Sequence, residues 1–394
     1  MPGRAAIVGG GLCGFVAYLT LRRAGIDDVT VFAAPWAAGG RPDPGPGAGS
    51  AAGASSHADP AASFRRRAAA IRQTHMRSES DGHCLPTSFP GLAVRDARTR
   101  RSLRPLVESV ADRYHPTVET FLEQVEEQRR ASGWAPVAAR IRTIRPVEGG
   151  FELAWLEAPA DVPPAPGREG RRLRRQGHGT FAHVLVATGH PGLFVPEELR
   201  DDARVVHAYE PHDYPASVCV VGAGLAAATE WRNARAAGSS VASVRRREPL
   251  RRPLNVPRPY LSRRGLARFH RLADDERAAA LRELLAPSIP PGREWDPPEA
   301  EPHVNGADQV VCATGFLRGI EHDPLLSRLA AEHDLHVVDG RLVLAPDATV
   351  PALTDGARSL ALAGVAAQWA YPAADTLMGA RWVAHAFARR CRTR

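Results

Sequence analysis

AAIVGGGLCGFVAYLTLRRAGIDDVTVFA, residues 5–33, decides the fold of this chain. Ala5 to Val8 form an apolar run of strand length, and a glycine turn then leads into apolar residues at helical spacing over Leu12 to Ala24. Gly25 is expected to end this helix, and Val29 to Phe32 predict a second buried strand. The stretch therefore predicts a strand, a tight turn, a helix and a second strand, in that order.

The turn has the pattern G-x-G-x-x-G, formed by Gly9, Gly11 and Gly14. In a βαβ unit the first glycine permits the turn, the second lets the backbone approach a pyrophosphate, and the third lets the helix pack on the strand. The N–H groups at the start of the helix then face the phosphates. In this context the pattern predicts that the stretch binds a dinucleotide.

One position of this unit departs from the pattern. An acidic residue at the end of the second strand binds the ribose hydroxyls in such units, and this sequence has Ala33 there. The nearest acids, Asp27 and Asp28, lie in the turn before the strand and are expected to point elsewhere. The departure affects the expected affinity for the nucleotide and leaves the expected fold unchanged.

The pattern occurs a second time in VCVVGAGLAAATEWRNARAAG, residues 218–238. A strand is followed by Gly222-x-Gly224-x-x-Ala227, a helix, and a further strand over Val241 to Val244. Alanine is a tolerated third residue of the fingerprint. Two copies in the same context are more specific than one, so the sequence predicts two nucleotide-binding units.

Arg245, Arg246 and Arg247 directly follow the second strand of the second unit, where an NAD-binding unit would have an acid. Arginine at this position suits the 2′-phosphate of NADP. The alternative interpretation is a solvated run of arginines in an arginine-rich protein. The position in the unit favours the phosphate interpretation.

Composition limits the classes of function. The chain has 394 residues, enough for two or three domains with ample core, and a net charge of +8. All of its basic residues are arginine, so a lysine Schiff base and a P-loop lysine are excluded. The arginines are spread along the chain and no nucleic-acid-binding motif occurs, so nucleic-acid binding is not expected.

The five cysteines are far apart in the sequence and form no C-x-x-C motif. This spacing argues against a disulfide scaffold, a zinc site and a dithiol reductase, and no metal site is expected. No apolar run reaches the length of a membrane span, and the N-terminal stretch has a nucleotide-binding pattern instead of that of a signal peptide. A soluble, cytoplasmic protein is expected.

The segments between the two units are less informative. The polar run Gln73 to Cys84 has two interpretations, a solvated loop or a lining for the substrate that uses His75, Arg77, Ser78 and Asp81. The other predicted segments are a loop up to Ala62, a short helix over Phe64–Ile71, an amphipathic helix over Pro116–Arg130, a β-hairpin over Arg140–Glu157, a hairpin-tip insert over Pro159–Gly179, a helix over Arg268–Leu285, a small hairpin over Leu335–Leu344 and a terminal helix over Ala373–Arg389.

Two further strands end in the sequence Ala-Thr-Gly. Phe181 to Val186 lead into Thr188 and Gly189, and Gln309 to Cys312 lead into Thr314 and Gly315. The carboxyl end of a strand is where an α/β sheet presents its ligands. These turns are therefore candidate cofactor contacts.

Two nucleotide fingerprints, each followed by a strand that ends in ATG, and a closing helix with the pattern AG-x-A…P…G, which includes Gly364 and Pro372, resemble the two-dinucleotide-binding flavoprotein superfamily. Within it, the chain is most similar to the flavin-containing monooxygenase-like (class B) oxidoreductases. The resemblance implies an α/β fold of two Rossmann-like domains of the three-layer ββα type. It implies FAD in the first unit and NADPH in the second, which is inserted into a discontinuous FAD domain.

The domain boundaries implied by the resemblance are 1–214 for the first part of the FAD domain, 215–306 for the NADPH domain and 307–394 for the second part of the FAD domain. The cofactor contacts it implies are Gly9, Gly11, Gly14, Gly40, Thr188, Gly189, Gly222, Gly224, Ala227, Arg245, Arg246, Thr314, Gly315, Gly364 and Thr376. The start of the terminal helix is expected to face the flavin pyrimidine.

Several positions differ from the superfamily's pattern besides Ala33. Pro42 replaces the tryptophan of the GG-x-W form, and Val365 stands where many relatives have an aspartate against the flavin's ribityl-phosphate. The linker motif F-x-G-x-x-x-H retains His212 alone, with Val206 and Ala208 at the other two positions. The changes in the linker motif weaken the expectation of oxygen insertion in particular, whereas monooxygenase-like members often lack the aspartate at the position of Val365.

The sequence thus predicts an NADPH-dependent FAD oxidoreductase that resembles a monooxygenase and oxidises a small organic metabolite with dioxygen. The alternatives are a flavin reductase or dehydrogenase without oxygen insertion, and a protein that keeps the fold but has lost FAD or turnover and acts as a binding partner. No general acid or base is assigned; His212, Arg77 and Asp81 are the candidates for a catalytic role.

Overall fold

The computed structural model describes residues 3–34, 58–76, 117–157, 175–252, 256–257, 260, 262–298 and 304–392. The helices and strands of the first half are β1 (Ala5–Val8), α1 (Leu12–Arg23), β2 (Val29–Ala33), α2 (Ala62–Ala70), α3 (Val118–Ala131), β3 (Val137–Val147), β4 (Gly150–Glu157), β5 (Gln176–Phe181) and β6 (His183–Val186). Those of the second half are β7 (Val205–His207), β8 (Ser217–Val221), α4 (Leu225–Ala236), β9 (Ser240–Val244), β10 (Leu250–Arg251), α5 (Arg263–Phe269), α6 (Asp274–Leu284), β11 (Ser288–Ile289), β12 (Gln309–Cys312), α7 (Pro324–Glu332), β13 (Val337–Val338), β14 (Arg341–Leu342), β15 (Ser359–Leu362) and α8 (Leu377–Arg392).

Seven strands form the first sheet, in the order β15-β6-β1-β2-β3-β4-β5. β1 pairs in parallel with β2 and β6, and β15 pairs in parallel with β6. Every residue of β1 is buried, as expected for a parallel strand that is covered on both faces. Helices α1 and α8 contact each other and this sheet, while β3, β4 and β5 extend it as an antiparallel meander.

Four parallel strands form the second sheet, in the order β7-β12-β8-β9. Helix α4 contacts β8 and β9, and its buried residues Ala227 and Trp231 lie in a core cluster with Val218 and Val220 of β8. Each sheet therefore has a glycine turn directly after a central parallel strand. The two strand–turn–helix–strand units that the sequence predicted are both present.

The predicted hairpin-tip insert was wrong at its carboxyl end. Residues 176–179, assigned to the insert, belong to β5, which pairs with β4. Glycines at 177 and 179 carry no β-strand signal, but Gly177 lies under the indole of Trp155, where a Cβ would collide with the ring. A bend at Ala182 then separates β5 from β6, so the predicted strand Phe181–Val186 begins at His183.

Two predicted helices have different bounds. The helix predicted over Arg268–Leu285 is two helices, because the backbone N–H of Ala273 bonds to the side chain of Glu276 and starts a new helix at Asp274. The terminal helix begins at Leu377 instead of Ala373. Thr376 caps it by accepting a hydrogen bond from the backbone N–H of Gly379 at 3.1 Å.

Helices α5 and α6 pack with the first sheet, although they follow the second glycine turn in the sequence. Leu266 and Phe269 of α5 and Leu281 of α6 belong to the buried cluster that contains β1. His270, between the two helices, bonds through Nε2 to the carbonyl oxygen of Ala370 at 2.6 Å. The predicted boundaries at 215 and 306 stay predictions, and these contacts join the intervening segment to the first sheet.

Within the described ranges, no helix is long and apolar enough to cross a membrane. The same ranges contain no group of three or more His, Cys, Asp or Glu side chains that could hold a metal ion. Four of the five cysteines lie in the described part of the chain, and all four are free thiols: Cys13, Cys219, Cys312 and Cys391.

Candidate functional site

The first glycine turn combines two packed positions with one open position. Gly9 has a φ of +130°, and a Cβ there would collide with the carbonyl oxygen of Ala187. A Cβ on Gly14 would collide with the carbonyl oxygen of Gly9, so this residue allows α1 to lie close to the turn. A Cβ on Gly11 would meet nothing within 4 Å. The backbone at Gly11 therefore faces open space at the start of α1.

The second turn repeats this arrangement. Gly222 has a φ of +145°, and a Cβ there would lie 2.5 Å from the carbonyl oxygen of Ala313. Ala227 is fully buried against the strand, while a Cβ on Gly224 would have only Pro287 near it, at 3.8 Å. Both turns thus leave their second glycine open to a ligand, which is the position where a pyrophosphate approaches in such units.

Ala33, the last residue of β2, offers no side-chain acceptor for ribose hydroxyls. Ala33 is buried, with 2% of its surface exposed, and lies beside Ala138 of β3. Asp27 and Asp28 precede β2, where they pair with Arg22 at 2.6 Å and Arg4 at 3.5 Å. The two acids are therefore at the amino end of the strand, away from the turn, as the sequence indicated.

The two ATG turns are joined to each other by backbone hydrogen bonds. The N–H of Phe194 donates to the carbonyl oxygen of Gly315 at 3.0 Å, and the N–H of Leu317 donates to that of Gly192 at 2.9 Å. The Thr314 hydroxyl donates to the carbonyl oxygen of Phe194. The carboxyl ends of the two sheets are thereby fixed against each other.

The hydroxyls of both ATG threonines already have protein partners. Thr188 donates to Oδ2 of Asp323 at 2.8 Å, and Thr314 bonds as described above. Gly189 and Gly315 differ, because a Cβ on either would meet nothing within 4 Å. Of these four predicted cofactor contacts, the two glycines have an open face and the two threonine hydroxyls are engaged within the fold.

Three aromatic rings stack where the two sheets meet, and we call His190, Phe316 and Tyr209 the junction stack. The His190 and Phe316 ring centroids are 3.9 Å apart at an interplanar angle of 14°, and those of Tyr209 and Phe316 are 5.1 Å apart at 13°. The guanidinium of Arg67, from α2, lies 5.2 Å from the centroid of Phe316. Burial, followed by the charges of Arg67 and Arg318, lowers the pKa of His190 to about 3.

The segment before α8 forms another wall of the region around the first turn. A Cβ on Gly364 would lie 3.4 Å from Sγ of Cys13, in the first turn of α1. Burial and then Asp375 raise the pKa of the Cys13 thiol to about 12. Burial also raises the pKa of Asp375, although its side chain is open to solvent. The effect of the Asp375 charge on the Cys13 thiol and the approach of Gly364 to the same sulfur place these three residues together beside the first turn.

Sequence reasoning did not identify Arg67, Phe316 or Asp375. Arg67 stands in a row of three arginines on α2, with no pattern to distinguish it from its neighbours. Phe316 directly follows the second ATG turn, so its position was the available signal. Asp375 was taken as part of the terminal helix and in fact precedes it.

His212 lies in a closed cluster and has no open side. Its side chain and that of Glu230 are both fully buried, and Nε2 of His212 lies 2.9 Å from Oε2 of Glu230. The hydroxyl of Tyr214 donates to the same oxygen at 2.8 Å. This geometry gives His212 a structural contact and no path to a substrate, so its candidate catalytic role has no support here. The candidates Gly40, Arg77 and Asp81, like Pro42 and Ser78, lie outside the described residues.

The end of β9 positions the three arginines of the second unit at its glycine turn. The N–H of Gly222 donates to the carbonyl oxygen of Val244 at 2.9 Å, so Arg245 begins directly beside the turn. Arg245 pairs with Glu248, whereas Arg246 and Arg247 are exposed. The predicted role of Arg245 and Arg246 in nucleotide binding stays a prediction.

No protein-family model matches this sequence, and no curated protein matches it. Solved structures do. An ornithine N-hydroxylase of Kutzneria sp. 744, solved with reduced FAD, NADP+ and L-ornithine, is similar over 99% of this chain and 100% of its own, with a TM-score of 0.67 and 13% identity. The ornithine hydroxylase of Pseudomonas aeruginosa has a TM-score of 0.64 and 15% identity over 99% of this chain and 100% of its own.

A flavin-containing monooxygenase from Stenotrophomonas maltophilia is similar over 99% of this chain and 98% of its own, with a TM-score of 0.56 and 18% identity. At identities this low, the similarity concerns the fold. The predicted α/β fold with two Rossmann-like units is confirmed, and it extends over nearly the whole chain.

Proposed function

We propose that this protein is an NADPH-dependent FAD oxidoreductase that resembles a monooxygenase and oxidises a small organic metabolite. The observation that carries the proposal is the pair of glycine turns, each with its second glycine open and each following a parallel strand of one of two sheets, with the ATG turns of the two sheets hydrogen-bonded to each other. Two dinucleotides bound at these turns would extend toward the same junction. The similar solved proteins, which include one that holds FAD and NADP+, support this assignment.

The first turn would hold FAD. Gly9 and Gly14 shape the turn, Gly11 leaves room for the pyrophosphate, and the N–H groups at the start of α1 would bind the phosphates. Gly364, which approaches Cys13 at the start of α1, and Thr376, which caps α8, would contact this cofactor, and Gly40 is proposed from the sequence alone. FAD supplies the redox chemistry when it is bound, and the protein positions it and sets its electrostatic surroundings.

The second turn would hold NADPH. Gly222, Gly224 and Ala227 provide the same turn, opening and helix packing as their counterparts in the first unit. Arg245 and Arg246 follow the neighbouring strand and would provide positive charge for the 2′-phosphate. The junction stack lies beside the two ATG turns. It would exclude water from the region where the reactive ends of the two cofactors meet.

The proposed substrate is a small metabolite, with dioxygen as the second substrate. Neighbours of this fold act on ornithine, lysine and S-allyl-L-cysteine, which are all small polar molecules. The four free thiols suit a reducing compartment, and we place the protein in the cytoplasm. Oxygen uptake that yields only peroxide with a broad set of such metabolites would favour the flavin reductase instead.

The visible spectrum of the purified protein, with and without added FAD, tests this function. We expect a flavin absorption band that NADPH bleaches faster than NADH does. A colourless protein that gains no band with excess FAD would refute the proposal. Gly11→Ala, which would block the first turn, should abolish the flavin band if FAD binds at that turn.

Ala33 favours a second candidate, a protein that keeps the fold but has lost FAD or turnover and acts as a binding partner. The buried methyl group of Ala33 cannot accept a hydrogen bond from a ribose hydroxyl. Loss of one such contact costs about 1–3 kcal/mol, or roughly tenfold to a hundredfold in affinity. The same spectrum decides between the two candidates.

A further inference from the structure

The loop Arg245 to Glu248 borders the second glycine turn. It begins after Val244, whose carbonyl oxygen accepts a hydrogen bond from the N–H of Gly222 at 2.9 Å. β8 and β9 are parallel and in register to their last residues, with Val221 opposite Val244. The loop therefore lies at the same edge of the sheet as the turn. In such units this edge binds the adenosine end of the dinucleotide.

Within this loop Arg245 has an internal partner. Its Nε donates to Oε1 of Glu248 at 2.9 Å, and one terminal nitrogen of its guanidinium lies 2.8 Å from the same oxygen. The side chain of Arg245 is 23% exposed, while that of Glu248 is 74% exposed. The carboxylate thus covers an edge of the guanidinium that an incoming phosphate could otherwise occupy.

Arg246 and Arg247 are in a different situation. Both are exposed, and neither forms an ion pair with any acid in the described ranges of the chain. Of these three consecutive arginines, Arg245 is therefore paired with an acid in the described part of the chain, and Arg246 and Arg247 are not. A carboxylate and a phosphate both bind guanidinium through charge-assisted hydrogen bonds, so they compete for Arg245.

We infer that Glu248 is a specificity-determining residue, which occupies Arg245 in the free protein and so lowers the preference of the second unit for 2′-phosphorylated nucleotides. This inference rests on the proposed function, namely that the second unit binds NADPH. Arg246 and Arg247 attract the phosphate, and Arg245 joins them only when its bond to Glu248 breaks. A nucleotide without a 2′-phosphate leaves the Arg245–Glu248 pair intact.

The expected effect is small because the pair is on the surface. Breaking an exposed ion pair changes an equilibrium by up to about fivefold. Glu248→Gln keeps the shape of the side chain and removes its charge. We expect this variant to bind adenosine 2′,5′-bisphosphate about twofold to fivefold more tightly than the unaltered protein does, with no change in its affinity for 5′-AMP.

Calorimetric titration of the full-length protein with these two nucleotides tests the inference. Arg245→Gln should abolish the gain, so that adding Glu248→Gln to it changes nothing; a double-mutant cycle measures this coupling. Glu283→Gln is the matched control, because it removes an exposed acid from α6, outside the loop Arg245 to Glu248. It should leave both affinities unchanged.

Three results would overturn the inference. Equal affinities in Glu248→Gln and the unaltered protein would show that the pair has no influence, and weaker binding of the bisphosphate would show that Glu248 orients Arg245 for the phosphate. A gain that persists in the Arg245→Gln background would assign the effect to general repulsion. If the unaltered protein binds neither nucleotide, the proposed function of the second unit fails as well; in the first three cases only the inference does.

Discussion

Gly9 and Gly11 lie two residues apart in the first turn, but only Gly11 has room for a side chain. Gly9→Ala would force a methyl group into the carbonyl of Ala187 and hold alanine at a φ of +130°. We expect this variant to lose about 3 kcal/mol of unfolding free energy, from backbone strain and collision together. Denaturant unfolding followed by circular dichroism measures the loss.

Gly11→Ala is the matched variant. Gly11 has a φ of −78°, which alanine adopts without strain, and its added methyl group meets only open space. We expect its unfolding free energy to stay within about 1 kcal/mol of the unaltered value, while FAD binding is lost because the methyl group blocks the pyrophosphate. Full retention of FAD by Gly11→Ala would place the cofactor elsewhere.

His190 provides a pH-dependent prediction. Burial and the charges of Arg67 and Arg318 lower its pKa to about 3, so it stays neutral in the folded protein, whereas the unfolded chain takes up a proton near pH 6.5. Its contribution to stability is therefore present above pH 6.5 and is lost as the pH falls from 6.5 toward 3. Each such histidine lowers the unfolding free energy by up to about 1.4 kcal/mol per pH unit in this window.

His190→Phe should keep the stack on Phe316 and remove this proton uptake. Urea unfolding at intervals between pH 7 and pH 4 should show a shallower loss of stability than in the unaltered protein. His207, whose pKa burial lowers to about 4, titrates in the same window and retains part of the slope. His178→Gln, at an exposed position on β5, is the control. An unchanged slope in His190→Phe would mean that His190 is protonated in the folded protein.

At the scale of the elements, α4 is held to the chain before β8 by the buried cluster of His212, Tyr214 and Glu230. His212→Leu would leave the Glu230 carboxylate fully buried without its histidine partner. Removing one member of a buried ion pair costs about 3 kcal/mol or more, so we expect a loss of this size in denaturant unfolding. Turnover per folded molecule should not change, because His212 has no open side.

The double variant His212→Leu/Glu230→Leu should recover part of that loss, since it removes the stranded charge as well. Burial opposes the charge on His212, but its hydrogen bonds to Glu230 and to the carbonyl of Glu210, with the charge of Glu230, raise its pKa above the usual value. This stabilisation is therefore complete below pH 6.5 and is lost as the pH rises through the folded pKa. A double variant less stable than His212→Leu would contradict the ion-pair account.

The elements that sequence predicted well are those with a strong period. The buried run of β1 and the apolar spacing of α1 placed the first turn to within one residue. β5 was missed because its glycines are explained by a tertiary contact, the indole of Trp155, which no local pattern reveals. The sequence does not reveal the break before α6, because no glycine or proline marks it. The break arises from the capping side chain of Glu276 and from the packing of α5 and α6 against the first sheet.

The candidate site divides in the same way. The glycines that shape both turns could be predicted, because a close approach of backbone to backbone admits no other residue. The partners of His212 and Thr188 could not. Glu230 is a fully buried acid on a helix, and acidic side chains are rarely fully buried. Asp323 lies far along the chain from Thr188.

At the scale of the whole molecule, the relative placement of the two glycine turns depends on the contacts between the ATG turns. Two backbone hydrogen bonds, one in each direction, join the two ATG turns. The rings of the junction stack pack beside these bonds. Reaction between groups held on separate sheets depends strongly on distance and orientation. The stack is therefore expected to affect the rate of NADPH oxidation more than the binding of either nucleotide.

Phe316→Leu tests this expectation, because it removes the ring that His190, Tyr209 and Arg67 share while sparing the backbone bonds. We expect FAD content and the affinity for adenosine 2′,5′-bisphosphate to be unchanged, and the rate of NADPH oxidation to fall by about tenfold or more. Phe64→Leu is the control, since it removes a ring that pairs edge-to-face with Phe121 and is not a member of the junction stack. A parallel loss of FAD content and rate in Phe316→Leu would contradict a role in orientation, because a stack that merely stabilised the first unit would lower both together.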